Sequence, residues 1–103
     1  MKTPEERRRY LDQKLREIPP GILEKAIAVF QTLPEEFKTE CRVRHAIEPD
    51  TWMNSWHFSV GTQLRNMLRD QGLRDDLLPD KNWHDYYIPV LEVSLGLREE
   101  QPP

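Results

Sequence analysis

Glycine, cysteine and long apolar runs are all scarce in this chain of 103 residues. With only four glycines, it has no glycine-rich loop to cradle a phosphate and no dinucleotide fingerprint. The single cysteine, Cys41, excludes an intramolecular disulfide and points to a reducing compartment. Nothing approaches the roughly 20 apolar residues of a membrane-spanning helix. The opening Met-Lys-Thr-Pro-Glu-Glu-Arg-Arg-Arg-Tyr lacks the apolar stretch of a secretory signal. A cytoplasmic protein with no membrane association is expected. Excess charge of one sign is missing too. A net charge of −3 and a pI near 5.6 give no bulk attraction to nucleic acid or anionic lipid.

What is present is a thin apolar fraction, 37%, beside 32% charged residues, which suits a small core under a wide solvated surface. Three each of tryptophan, tyrosine and phenylalanine supply rings to bury and favour a folded chain over a disordered one. A domain of this length buries roughly 65% of its unfolded surface, enough for one core without metal or disulfide staples.

Proline and glycine punctuate a series of helical patterns. Thr3-Pro4-Glu5-Glu6 supplies a capping residue, a first-turn proline and the reciprocal acid of a capping box. Leu11, Leu15 and Ile18 follow at helical spacing until Pro19-Pro20-Gly21 stops the ladder. That stripe is narrow, so residues 1–18 are expected to form a loosely packed helix. Residues 22–33 are apolar over more than half the circumference, as in a helix buried between neighbours. A third helix is expected over residues 34–47, with Phe37, Cys41 and either Val43 or Arg44 inward. The alternation of Thr39, Cys41 and Val43 fits a short strand as well. After Glu48-Pro49-Asp50, with Asp50 as cap, Met53, Trp56 or His57, Val60, Leu64, Met67 and Leu68 predict one long helix over residues 51–71, closed by Gly72. Gly61 in its middle costs about 1 kcal/mol against alanine. A large ring, from Trp83, Tyr86 or Tyr87, is therefore expected against that backbone. Residues 74–81 are polar, with room for one helical turn. Asn82 then caps a last helix over residues 83–95, kinked or restarted near Pro89 and closed by Gly96. Residues 98–103 are expected to fray. The fold class is all-α: a single-domain compact bundle of four to five helices.

Cys41 and His45 stand four apart, on one helical face, as two zinc ligands would. Further ligands at a recognisable spacing are missing, so no metal and no cofactor is expected. A Cys41–His45 nucleophile pair would need an oxyanion hole, and no glycine-rich turn precedes Cys41 to supply it. No residue is assigned a catalytic role. An enzyme, as a small hydrolase or metal-dependent one built on His57, Asp85 and Cys41, is the weakest of three alternatives. His57 facing His84-Asp85 has the chemistry of an acid–base pair. Flanked by Trp56 and Phe58, it suits better a hydrogen bond across a helix interface, to Asp85 or a tyrosine hydroxyl.

Arg65 and Arg69 lie four apart, with Asn66 beside them. Joined in space by Arg42 and Arg44, they would make a surface for phosphates and bases. A nucleic-acid-binding accessory protein is thus the second alternative, although Asp70, Asp75, Asp76 and Asp80 favour internal ion pairs instead. Trp56 and Trp83 fit core stripes, whereas Trp52 falls to one side. An exposed tryptophan beside arginine is the composition of a protein-binding hot spot. The leading expectation is a non-enzymatic module that presents a helical face to a protein partner or to its own copy. Its binding residues would be Trp52, His57, Arg65, Asn66 and Arg69.

The run Trp56-His57-Phe58-Ser59-x-Gly61, followed by Arg65-Asn66 and then Asn82-Trp83-x-Asp85-Tyr86-Tyr87, resembles a group of small bacterial proteins of unknown function. These share a His-Phe-Ser-x-Gly…Arg-Asn signature. The likeness covers the C-terminal half. Where the group has an acidic pair before the two tyrosines, this chain has His84-Asp85. The resemblance implies a bacterial or phage-derived intracellular origin and no particular activity. It implies either a polar site or an interhelical network around His57, Ser59, Arg65 and Asn66.

Overall fold

The computed structural model describes residues 3–99, which form helices and turns with no strand among them. The helices are α1 (Pro4–Glu17), α2 (Pro20–Gln31), α3 (Glu35–Ile47), α4 (Val60–Asp70) and α5 (Tyr87–Ser94), with a 3-10 turn at Asp75–Leu77. α5 is the centre: Tyr87, Ile88, Pro89, Val90, Leu91 and Glu92 are buried in succession. α1, α2 and α4 pack on it, and α2 also meets α4. α3 closes the bundle from outside through the fully buried Cys41 and through Phe37, whose ring stacks on Trp56 at 5.8 Å.

Local chemistry sets most of the boundaries. Thr3 Oγ1 accepts from the Glu6 N–H at 3.1 Å and starts α1 as its spacing requires. Gly72 (φ +84°) and Gly96 (φ +77°) close α4 and α5 in the left-handed conformation. Beyond them, the Leu73 N–H returns to the Leu68 carbonyl at 3.1 Å and the Leu97 N–H to that of Glu92 at 2.8 Å. The interruption expected at Pro89 takes the form of a restart. Asn82 Oδ1 accepts from the His84 N–H and the Tyr87 N–H reaches the Trp83 carbonyl. Pro89 has no N–H for the next bonds, so regular helix begins at Tyr87 and not at position 83.

Three expectations are corrected. The helix foreseen over residues 51–71 is α-helical only from Val60 to Asp70. Residues 51–59 instead make successive tight turns, with the N–H groups of Thr51, Asn54, Trp56 and Ser59 each bonded three residues back at 3.0–3.2 Å. Threonine, asparagine, serine, tryptophan, histidine and phenylalanine hold a helix weakly, and asparagine and serine compete for its backbone bonds. Asp50 caps nothing there. Its carbonyl and carboxylate take Arg7 Nε at 2.8 Å and Arg8 Nε at 3.1 Å.

Nor is α1 loosely packed. Leu11, Leu15 and Ile18 are all buried, each contributing about 1.5–3 kcal/mol. Lys14 widens the stripe by lying along the rings of Tyr10 and Tyr86, its Nζ 5.4 and 5.0 Å from their centres, and by pairing with Asp80. Tyrosine hydroxyls complete the seam: Tyr10 donates to Asp85 at 2.9 Å and Tyr86 to Glu17 at 2.8 Å. Finally, the fraying expected from residue 98 does not begin there. Arg98 donates to Glu92 at 2.8 Å and pairs with Asp12. Residues 1, 2 and 100–103 lie outside those described.

Candidate functional site

Gly61, the second residue of α4, brings the corner around His57 together. A Cβ at this position would stand 3.0 Å from Tyr87 Cζ and nearer still to the hydroxyl. Only glycine, then, admits the tyrosine ring from α5, the close approach expected from the sequence. So placed, the Tyr87 hydroxyl lies 2.8 Å from His57 Nδ1. The Arg65 guanidinium sits 5.0 Å from the centre of the same ring. Its Nη1 donates to the His57 carbonyl at 3.4 Å and its Nη2 to Thr62 Oγ1 at 3.0 Å.

One tautomer of His57 suits these surroundings. Its Nε2 lies 3.2 and 3.1 Å from the two ring nitrogens of His84. The rings stand at 81° with centroids 4.2 Å apart. Near-equal distances to both nitrogens of a perpendicular ring place Nε2 over its face, not on either lone pair. The His57 Nε2–H therefore points into the His84 π-system, and Nδ1 accepts from the tyrosine. Burial first, then His84 and Arg65, hold the His57 pKa below its ordinary 6.5. Burial likewise pushes Tyr87 up to about 12. Of the two partners expected for His57, Asp85 or a tyrosine hydroxyl, the tyrosine is the one that bonds it, while Asp85 accepts from the Tyr10 hydroxyl. A histidine whose lone pair is already committed makes a bracket between the 51–59 turns and α5, not a free general base.

This bracket carries a pH signature. Because the folded pKa is depressed, the unfolded chain takes up its proton first, near 6.5. The contribution is fully present above that pH and is lost as the pH falls below it through the folded value. Denaturant titrations between about pH 8 and 5 should show stability declining below about 6.5. His57→Gln should flatten that limb. A wild-type curve level across the window would refute the bracket. Asp75, Asp80 and Glu17, held below their ordinary 3.8, 3.8 and 4.5 by Arg69, Lys14 and Tyr86 respectively, act in a separate, more acid range.

The other residues singled out do not converge. Arg65 is 8% exposed and turned inward. Asn66 is exposed, and its Oδ1 accepts from Arg69 Nη1 at 2.7 Å. Arg69 grips Asp75 with two bonds, at 2.6 and 3.0 Å, the internal ion pair that the aspartate-rich 70–80 stretch suggested. Arg42 donates to the Leu95 carbonyl at 3.2 Å. Arg44 lies 3.8 Å over the Trp56 ring and bonds Ser55. Ser59, exposed, bonds the Trp56 carbonyl. The signature residues thus divide. His57 and Arg65 join one network, whereas Ser59 and Asn66 point elsewhere.

Trp52 is the clearest correction. Expected at the surface, it is 4% exposed, and its Nε1 donates to Glu92 at 2.9 Å. Glu92, itself 1% exposed, also accepts from Arg98, while His45 Nε2 stands 3.8 Å away. The sequence carries a signal for this. A single carboxylate inside the apolar run Tyr87-Ile-Pro-Val-Leu-Glu-Val-Ser-Leu must find partners once that helix is buried. Cys41 is fully buried and its thiol is pushed up to about 11 by that burial, far from the thiolate a nucleophile or metal ligand needs. Among the described residues, no three histidine, cysteine or acidic side chains are grouped to hold a metal ion.

The surface offers one further feature. Partly exposed apolar residues such as Val29, Leu33, Phe37, Val60 and Met67 pack on the core. Val43, Ile47 and Phe58 do not, at 54%, 73% and 84% exposure. Phe58 stands alone beside His57. Val43 and Ile47 are one turn apart on the outer face of α3, opposite Cys41. Ile47 also edges a cleft of about 460 Å3 floored by Trp52 and walled by Arg44, Glu48, Thr51, Asn54 and Ser55. The chain matches no protein-family model, no curated protein and no solved structure.

Proposed function

We propose that this chain is a non-enzymatic protein-interaction module that docks its partner on the outer face of α3. One observation carries the reading: Val43 and Ile47 point together into solvent, 54% and 73% exposed, beside a cleft. A small domain with so thin an apolar fraction has use for every large aliphatic in its core, and two on one helical edge suit a helix-in-groove contact. The nucleic-acid alternative rests on Arg42, Arg44, Arg65 and Arg69, and each of these guanidinium groups is engaged by its own chain.

Ile47→Glu tests this directly. The side chain is exposed, so stability should stay within about 0.5 kcal/mol of wild type. Losing a buried isoleucine from an interface removes about 1.5–3 kcal/mol, or about 10- to 100-fold in affinity. With the purified protein as bait in an extract of its source cells, a specific bound species should be lost from Ile47→Glu and kept by Phe58→Ser. A species retained equally by Ile47→Glu would overturn the α3 reading.

A further inference from the structure

Resting on that reading, we infer that the occupant of the α3 face is a second copy of this chain, packed antiparallel to the first. The helix carries the acids Glu35, Glu36 and Glu40 in its first half and Arg44 in its second, with Arg42 turned back onto the Leu95 carbonyl and His45 turned toward Glu92. Lys38, the exception, is folded back, with Nζ on the Gln31 carbonyl and Glu35. Reversing the direction of one copy brings the acids of each helix toward the other copy's Arg44. A parallel copy would stack like on like.

The register follows from the exposed stripe. Thr39, Val43, Ala46 and Ile47 all face solvent. Centring a two-fold axis on Val43 sets each Val43 against its mate and each Ile47 against the other copy's Thr39. In such a pairing the same edge of each helix meets the same edge of its mate. Glu40 and Arg44 share the edge beside Ile47, loosely paired at 3.9 Å within one chain, so each Glu40 comes alongside the other copy's Arg44. On the opposite edge, Arg42 is turned back onto the Leu95 carbonyl, which keeps two like charges from meeting. The contact is isologous and closes on itself, giving a dimer and not a filament. A 13-residue helix is about 20 Å long. An interface of that length is small, and association in the micromolar range is expected.

Sedimentation equilibrium of wild type from about 1 µM to 1 mM should show the mass rising from 12.3 kDa toward twice that value. Glu40→Arg and Arg44→Glu should each weaken association at least about 10-fold, and an equimolar mixture of the two should restore it. Val43→Cys should form a covalent dimer under mild oxidation, while Phe58→Cys, at a still more exposed position, should not. Thr39→Cys mixed with Ile47→Cys should cross-link to each other and not to themselves, since disulfide bonding needs Cβ atoms about 4 Å apart. Native Cys41 is buried and does not interfere. A wild type that stays single-chain throughout, while Ile47→Glu still abolishes capture of a different protein, would overturn the second-copy inference and leave the docking face standing. If Ile47→Glu alters neither mass nor capture, both fall.

Discussion

Replacing Glu92 by alanine is expected to cost about 3–5 kcal/mol of stability, the usual penalty for removing one partner from a buried charge network. On a domain of this size the melting temperature should fall by at least about 12 °C. Three groups lose their acceptor together. Trp52 Nε1 loses the carboxylate it donates to at 2.9 Å, Arg98 Nε loses its 2.8 Å contact, and His45 loses the carboxylate 3.8 Å away. Arg98 keeps Asp12, and its side chain is 12% exposed, which places the loss toward the lower end of the range. Glu92→Gln separates the charge from the hydrogen bonds. It can still accept from Trp52, so it should recover part of the loss, whereas Arg98→Met in the wild-type background should be damaging through Glu92 and Asp12 alike. In the double variant Glu92→Leu with Arg98→Met, the two penalties should add to less than their sum, because neither charge is left buried without the other. Thermal melts of wild type, these four variants and Glu92→Leu alone decide it, and a loss below about 1 kcal/mol for Glu92→Ala would mean the network contributes nothing beyond ordinary surface pairing.

The same residues mark where the sequence is legible. Thr3, Gly72 and Gly96 were readable because a cap depends on residues within about one helical turn, and that turn is printed in order along the chain. The Tyr87 approach to Gly61 was readable as well, since an otherwise costly glycine asks for a neighbour. Glu92 binds Trp52 from 40 positions away, and Arg98 reaches Asp12 across 86. No local pattern specifies such a pairing. Only the misfit of a carboxylate among aliphatics announces that one must exist.

Residues 51–59 failed for a different reason. The spacing of Met53, Trp56 and Val60 satisfies a helical period, but local propensity runs against it. With almost no strong helix former in the stretch, tight turns that bury both Trp52 and Met53 win. Once Trp52 went inward, the surface it was expected to furnish passed to Ile47, whose side chain edges the cleft above it. The arginines shifted in the same way. Each found a carbonyl, a carboxylate or a ring on its own chain, and Arg65 turned inward while Asn66 and Arg69 stayed exposed. The candidate surface thus moved from α4 to α3 by the same packing that completed the core.

Gly61→Ala gives the second large effect, and its sign separates two accounts of that glycine. On helix propensity alone, alanine stabilises by up to about 1 kcal/mol. Gly61 occupies the second position of α4 and not mid-helix as first expected, so the available gain is smaller. Against it stands the Tyr87 ring, 3.0 Å from the new methyl at Cζ and closer at the hydroxyl. Tyr87 is fully buried on the central helix. Overpacking of this kind costs about 1–3 kcal/mol, so the net result is destabilising, and Gly61→Val more so. Displacing the hydroxyl also breaks its bond to His57 Nδ1, so Gly61→Ala should blunt the decline in stability below about pH 6.5, which a purely local strain would leave intact. Tyr87→Phe removes the nearest atom of the clash. Combined with Gly61→Ala, it should recover part of the loss in a double-mutant cycle. Denaturant titrations at about pH 7.5 and 5.5 on the four proteins measure both effects together. A Gly61→Ala protein more stable than wild type at both would leave the glycine without a role in holding this corner.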